Sequence, residues 1–149
     1  DNQLGYRIAR RDAHNRDAEL ASVVSNLSVE PRATPEIREM AFRLLCLNHT
    51  LTSYVSTLGA HRERLTHPEI LALLDDAVCY VDAALRPTFT DAGDVERLRQ
   101  ALERLTARLE KSHPTPGTKE PLVIQQIGLL IALLPELSTL QQQLHQLPE

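Results

Sequence analysis

Hydrophobic residues recur three and four positions apart in five segments of the chain, and this spacing predicts five α-helices. The first predicted helix runs from about Asn2 to Ser28 and ends before Pro31. The second begins with Thr34 as its N-cap and Pro35 in its first turn, where a proline is well tolerated. The predicted inner face of the first helix consists of Ile8, Leu20, Val24 and Leu27, and that of the second consists of Met40, Leu44, Leu47, Leu51, Val55 and Leu58.

The remaining three helices are bounded by similar signals. The third begins with a capping-box pattern, Thr66 to Glu69, and ends before Pro87. The fourth has a heptad seam beneath a coat of Glu and Arg, which predicts packing on a neighbour at a shallow angle. In the fifth, Pro135 removes the hydrogen bond to the Ile131 carbonyl, so we expect a kink. The hydrophobic stripe of the third helix is Ile70, Leu74, Val78, Val81 and Leu85. That of the fourth is Val95, Leu98, Leu102, Leu105 and Leu109, and that of the fifth is Ile127, Leu130, Leu133, Leu137, Leu140, Leu144 and Leu147.

The expected architecture is an all-α, up-and-down bundle of about five helices, because short connections favour antiparallel neighbours. One domain over residues 1–149 suits the length, and a core of Leu and Ala follows from an aromatic content of 3% with no Trp. The segment from Ser112 to Gly117 has the composition of a flexible surface connector. If the leucine stripe from Leu137 to Leu147 is exposed, it indicates an oligomer contact.

The net charge, the two cysteines and the first residue indicate which class of protein this is and in which compartment it is expected. A net charge of -4 without a basic run that interleaves aromatics gives no reason to expect nucleic-acid binding. Cys46 and Cys79 fall in apolar helical stretches, so we expect buried free thiols in a reducing, cytoplasmic setting. The longest apolar run, Ile127 to Leu134, is shorter than the roughly 20 residues of a membrane helix. Because residue 1 is Asp and the single methionine is Met40, we expect a fragment of a longer protein.

Recognisable catalytic motifs are absent from the sequence. The five glycines lie far apart, and no phosphate-binding loop or nucleophile elbow is found. Glu110-x-x-His113 and Cys46-x-x-His49 each offer one pair of ligands, fewer than a di-iron or zinc site requires. Asp75 and Asp76 point about 100° apart on a helix and are expected on a solvated acidic face. We therefore expect no enzyme activity, no cofactor and no metal.

One motif nevertheless suggests chemistry. His49-Thr50-Leu51 followed by Leu58-Gly59-Ala60 resembles the motif of histidine phosphotransfer domains, which are also helical bundles. That family carries a Lys three residues after the His and a Gly beside it, and here those places hold Thr52 and Ser53. Because phosphoryl transfer depends on charge stabilisation, the missing cation weakens this interpretation. A phosphotransfer-like domain that uses His49 is kept as an alternative.

The start of the first predicted helix is basic. Interleaved acidic residues make a solvated face of ion pairs the simpler interpretation. The functional alternative is contact with an anionic membrane surface or with the rest of a parent protein. The basic residues are Arg7, Arg10, Arg11, His14 and Arg16, and the acidic ones are Asp12, Asp17 and Glu19.

Three stretches together carry a more specific resemblance: Tyr6 to Asn15, Ala18 to Pro31, and Leu47 to Glu63. They resemble the C-terminal soluble region of the YccS/YhfK type of bacterial inner-membrane proteins, in the fusaric-acid-resistance-like (FUSC) superfamily. The resemblance covers the chain up to about Leu65, and the second half shows helical pattern alone.

This resemblance implies a parent with blocks of membrane helices and cytoplasmic helical domains, and a role in transport or efflux. It implies a bacterial inner-membrane location with this domain on the cytoplasmic side, working in assembly or regulation of the membrane part. The expected partners are the rest of the same protein, a second copy in a homo-oligomer, and a membrane surface at the first helix. A further alternative is an adaptor bundle that binds a partner helix in an apolar groove.

Six polar residues form the candidate site. We expect them to build a polar network between the first two helices, or a docking surface for the membrane part or a second subunit. The simpler interpretation is that they cap and solvate helix ends. The six are Arg10, Arg11, His14, His49, His61 and Arg62.

Overall fold

A computed structural model of the chain describes residues 2–86 and 92–145, and five α-helices make up most of them. Each predicted helix is present, and the described residues contain no strand, so the all-α bundle is confirmed. At 28 residues each, α1 and α2 are about 42 Å long. The helices are α1 (Asn2–Val29), α2 (Pro35–Arg62), α3 (Pro68–Leu85), α4 (Ala92–Glu110) and α5 (Glu120–His145).

The turn between α1 and α2 is fixed from both sides. Thr34 is the N-cap of α2, as predicted, and its Oγ1 accepts a hydrogen bond from the Ile37 N–H at 3.2 Å. From the first turns of α2, the Arg38 guanidinium donates to the carbonyls of Leu27 and Glu30, each at 2.9 Å. These bonds satisfy carbonyls at the end of α1, which otherwise lack helical partners.

The start of α3 differs from the prediction by one residue. The N-cap is His67 instead of Thr66, and its Nδ1 accepts from the Glu69 N–H at 3.2 Å. The reason is Pro68, whose ring disfavours helical dihedrals in the residue before it. His67 is accordingly extended, at φ -73° and ψ 115°, and the helix begins at the proline.

Helix α5 packs against α2, α3 and α4, while α1 packs against α2 and α3. Consecutive helices are therefore not always close neighbours, because α2 and α3 touch only slightly. Helix α5 contains the longest uninterrupted apolar run, Ile127 to Leu134, and contributes many side chains to the core. Its fully buried side chains include Val123, Ile127, Leu130, Leu134 and Leu137.

By length and composition alone, α5 could cross a membrane, although the uninterrupted apolar run within it is short. A core helix of a folded bundle can meet the same criterion, and 39% of the apolar window of α5 is buried within the described part of the chain. The helix continues through Pro135 from Glu120 to His145. The leucines that follow are not exposed: Leu137 and Leu140 are buried and Leu144 is half-buried against the core. The predicted oligomer contact therefore loses its basis over these positions, and Leu147 lies outside the described residues.

The connector between α4 and α5 is held by hydrogen bonds, contrary to its flexible composition. The buried Glu120 accepts from the Thr115 N–H at 2.9 Å, and the Thr118 Oγ1 accepts from the Glu120 N–H at 3.2 Å. Ser112 is buried and donates to the Leu109 carbonyl at 2.6 Å. A loop with this many internal bonds is ordered by its own side chains.

The prediction of buried thiols is wrong, because both Cys46 and Cys79 are exposed. An apolar stretch is not an apolar face: each residue of a helix turns by about 100°, so Cys46 points away from its buried neighbours Leu44 and Leu47. Cys79 likewise follows the buried Val78 and faces outward.

Candidate functional site

The six predicted site residues lie in separate places on α1 and α2. Arg10, Arg11 and His14 are exposed on the outer face of α1. On α2, His49 is also exposed and reaches back to α1. The remaining two lie near the end of α2, where His61 is half-buried and Arg62 contacts α1 and α3.

The closest approach between α1 and α2 occurs where Tyr6 packs on Gly59. Tyr6 is buried, and a Cβ placed on Gly59 would lie 3.2 Å from the Tyr6 Cδ1 and 3.5 Å from its Cε1. A glycine inside a helix costs stability relative to alanine, so it calls for a compensating contact. The aromatic ring lying against the bare Cα of Gly59 is that contact.

Arg62 extends this contact to a third helix. Its Nε and Nη2 donate to the two carboxylate oxygens of Asp75 on α3, at 3.0 and 3.3 Å. Its guanidinium carbon lies 6.0 Å from the centre of the Tyr6 ring. With side chains 19% and 22% exposed, the pair is shielded enough to contribute more than a typical surface ion pair. We call Tyr6, Gly59, Arg62 and Asp75 the three-helix junction.

Electrostatics at the three-helix junction keep Tyr6 neutral. Burial, followed by the nearby carboxylate of Asp75, raises the pKa of the Tyr6 phenol, and the charge of Arg62 offsets part of this. The hydrogen bond to Asp75 raises the pKa of Arg62, which stays charged. The Tyr6 hydroxyl has no hydrogen-bond partner among the described residues, so the ring contributes through packing.

A second polar contact joins the middle of α1 and α2. Asn48 is fully buried, and its Nδ2 donates to the Ala13 carbonyl at 3.0 Å and to the Asp17 Oδ1 at 3.3 Å. The Nδ1 of His49 lies 3.6 Å from the other oxygen of Asp17. A buried amide that bonds across an interface fixes the register of the two helices.

The surroundings of His49 give phosphotransfer little support. Its side chain is 75% exposed, so a phosphodonor could reach it. However, the Asp17 carboxylate lies 3.6 Å from the His49 Nδ1 and repels an incoming phosphoryl group. Thr52 and Ser53, in the places of the missing Lys and Gly, bond to the carbonyls of Asn48 and His49 on their own helix.

The two predicted surface aspartates both pair with arginines. Asp75 belongs to the three-helix junction, and Asp76 accepts from Arg108 on α4 at 2.6 Å. A third inter-helix pair joins Arg43 on α2 to Glu136 on α5, with one bond at 2.9 Å. This bond and the attraction between the charges lower the pKa of Glu136. The charged side chains thus join neighbouring helices in addition to forming a surface that water can solvate.

Two further surface features are candidates for binding. The outer face of α1 carries the exposed Arg7, Arg10, Arg11 and His14. Between α4 and α5 an open groove of about 470 Å³ is floored by small and apolar residues, including Ala107, Gly128, Ala132 and Pro135. Across residues 2–86 and 92–145, no three His, Cys, Asp or Glu side chains are grouped to hold a metal ion.

Sequence reasoning missed Tyr6, Asn48 and Asp75 as members of a site. Gly59 offered a usable signal, since an isolated glycine inside a helix often marks a close approach. Nothing in the local pattern indicated that Asp75 would meet Arg62, because a contact between two helices depends on how they pack.

The chain is 66% identical over all 149 residues to the inner membrane protein YccS of Escherichia coli (strain K12), and it spans 20% of that protein. It is 31% identical over 140 residues to an uncharacterized protein of Haemophilus influenzae, again spanning 20% of the relative. No family profile and no solved structure matches the chain. The chain therefore covers about a fifth of the length of the curated relatives it matches, and it is consistent with a region of a YccS-type protein.

Proposed function

We propose that the chain is a non-catalytic C-terminal module on the cytoplasmic side of an inner-membrane protein. Its role is to support assembly or regulation of the membrane part, in a transport or efflux protein of the fusaric-acid-resistance-like superfamily. Every residue of this chain aligns with a YccS-type protein, although with only a fifth of that protein. The observation that carries the proposal is the 66% identity to the inner membrane protein YccS over every residue of the chain.

The use of charged residues in the fold supports a structural role. Arg62 with Asp75, Arg108 with Asp76 and Arg43 with Glu136 each join two different helices. Side chains that hold helices together in this way suit a rigid module that transmits or receives contacts.

Deleting the region that corresponds to this chain from the full-length protein tests the role. We expect the shortened protein to insert into the membrane but to lose its normal oligomeric size in mild detergent, or its transport. Point variants that unfold the module, rather than remove it, should have the same effect. A shortened protein of unchanged size and activity would contradict the proposal.

The exposed thiols allow the side of the membrane to be tested with the protein's own residues. A membrane-impermeant maleimide added to spheroplasts should leave Cys46 unlabelled, and the same reagent should label it in inverted membrane vesicles. Because Cys79 is exposed as well, the labelling is done in a Cys79→Ser background, in which adding Cys46→Ser should remove the signal in the vesicles. Labelling in intact spheroplasts would place the domain outside the cytoplasm.

The groove between α4 and α5 favours a second candidate function, an adaptor that binds an amphipathic helix. Its floor carries Gly128, where an added Cβ would meet no atom within 4 Å, so a partner could approach closely. Glu103 and Glu110 line the groove with a single basic residue, Arg99, which gives it a net negative charge that suits a basic helix.

A synthetic Leu/Lys helix is a suitable probe for this groove. Gly128→Leu projects a side chain into the groove from a position where an added Cβ meets no atom within 4 Å, and it should abolish binding measured by calorimetry. Gly5→Leu is the matched control, since Gly5 also has open space around it but lies on α1. Equal binding by the two variants would rule out the groove as the adaptor site.

A further inference from the structure

The outer face of α1 concentrates positive charge on a chain that is acidic as a whole. Arg7 and Arg11 are four residues apart and His14 is three further on, which places the three on one side of the helix, with Arg10 at the flank. The buried residues Tyr6, Ala9, Ala13 and Leu20 define the opposite side. We call Arg7, Arg10, Arg11 and His14 the basic stripe.

The side chains of the basic stripe form few ion pairs with the rest of the described residues. Within the described residues, the side chains of Arg7, Arg10 and His14 form no ion pair, and Arg11 has one long contact of 3.4 Å to Asp12, its neighbour in sequence. A contact of that length between exposed groups contributes little. By contrast Arg16, one turn beyond Asp12, bonds to Glu19 and to Gln141 of α5.

An exposed leucine continues the same face. Leu4 lies three residues before Arg7 and is 54% exposed, so an apolar side chain stands next to the charges. Arginines are attracted to an anionic lipid surface, and an exposed leucine beside them adds apolar area that the headgroup boundary can bury.

The rest of the molecule does not oppose this orientation. The acidic helix next to α1 is α3, which has four acidic residues and no Lys or Arg. Three of these acidic residues, Asp75, Asp76 and Asp82, pair with arginines within the fold, so their charge is largely neutralised there. At physiological ionic strength, charges more than about 8 Å away are largely screened, so a lipid surface at α1 senses mainly the local arginines.

We propose that the basic stripe binds the anionic phospholipid headgroups of the membrane in which the parent protein resides. This inference deepens the proposed function and rests on it, because a bilayer is at hand only if the chain belongs to a membrane protein. A few arginines bind lipid weakly in free solution, but tethering to membrane helices raises the effective lipid concentration and makes weak binding sufficient.

Vesicle co-sedimentation of this chain, carried out with a large excess of lipid to compensate for the missing tether, tests the proposal directly. We expect binding to vesicles that contain phosphatidylglycerol, no binding to phosphatidylcholine alone, and release by salt. Each arginine near an anionic surface contributes about 1 kcal/mol, roughly fivefold in partitioning, so Arg7→Gln with Arg11→Gln should weaken binding about 30-fold. The matched control is Arg104→Gln with Lys111→Gln, which removes the same charge from two exposed positions outside α1 and should bind as the unmodified chain does.

Several outcomes would overturn the proposal. These are equal binding by the stripe variant and the control variant, binding to phosphatidylcholine alone, or no binding to either vesicle. Binding to polyglutamate in place of vesicles would show that the basic stripe docks on an acidic protein surface instead. Unchanged helical circular dichroism in both variants excludes unfolding as the cause. Since the thiol-labelling experiment does not involve lipid affinity, failure here is distinguishable from failure of the proposed function.

Discussion

Replacing Gly59 with alanine introduces a methyl group into the space that the Tyr6 ring occupies. The added Cβ would lie 3.2 Å from the Tyr6 Cδ1, closer than carbon atoms normally pack, so the ring must shift. Alanine favours the helix over glycine by about 1 kcal/mol, whereas overpacking a filled interface costs about 1–3 kcal/mol. We expect Gly59→Ala to lower the free energy of unfolding, or at best to leave it unchanged.

Gly128→Ala provides the matched comparison. Gly128 is also inside a helix, but its added Cβ meets no atom within 4 Å, so only the helix propensity changes. This substitution should raise the free energy of unfolding by about 0.5–1 kcal/mol. The difference between the two variants, about 1–3 kcal/mol, isolates the steric cost of the ring contact.

Urea unfolding followed by circular dichroism measures both variants, with the slope against urea checked for constancy. A double-mutant comparison identifies the ring as the cause: Gly59→Ala should remain unfavourable in a Tyr6→Phe background and become favourable in a Tyr6→Ala background. Tyr6→Phe by itself should cost little, because the buried hydroxyl has no partner within the described residues. Equal stabilisation by Gly59→Ala and Gly128→Ala would refute the reasoning.

Three other predictions follow from the geometry. Arg62→Glu should lower the free energy of unfolding by about 2 kcal/mol, because the charged hydrogen bonds to Asp75 are lost. Adding Asp75→Arg should recover part of that stability, and a double variant that shows no recovery in thermal unfolding would contradict the pairing. Partial burial and the nearby aspartates raise the pKa of the exposed Cys79 thiol, so its alkylation should accelerate only at a pH above that needed for an unperturbed thiol. With Cys46→Ser as the background, a rate profile that matches a model peptide would disprove this. Incubation with acetyl phosphate should leave no acid-labile label on His49, since Asp17 lies beside it, and a label lost in His49→Gln would revive phosphotransfer.

Much of the fold was predictable because helices are local structures. Hydrophobic spacing predicted all five helices, and Thr34 with Pro35 marked the start of α2 correctly, since a cap involves residues only three apart. The shifted start of α3 at His67 was also a local matter, in which the restriction imposed by Pro68 prevailed over the capping-box pattern.

Surface exposure was less predictable. Cys46 and Cys79 are surrounded by hydrophobic residues in sequence yet point to solvent, because the direction of each side chain depends on which side of the helix the bundle covers. The sequence left open whether Leu137 and Leu140 are exposed for an oligomer contact, and the helices packed against α5 bury both of them.

The sequence by itself determined the helices, their order and the resemblance to an inner-membrane protein type, since these depend on nearby residues or on direct comparison. Only the tertiary structure decided that Gly59 receives Tyr6 and that Arg62 pairs with Asp75. It also decided that the basic stripe of α1 faces outward while Arg16 is engaged with α5. The physical reason is that such contacts join residues distant in the chain, and their geometry is set by the packing of whole helices rather than by any local pattern.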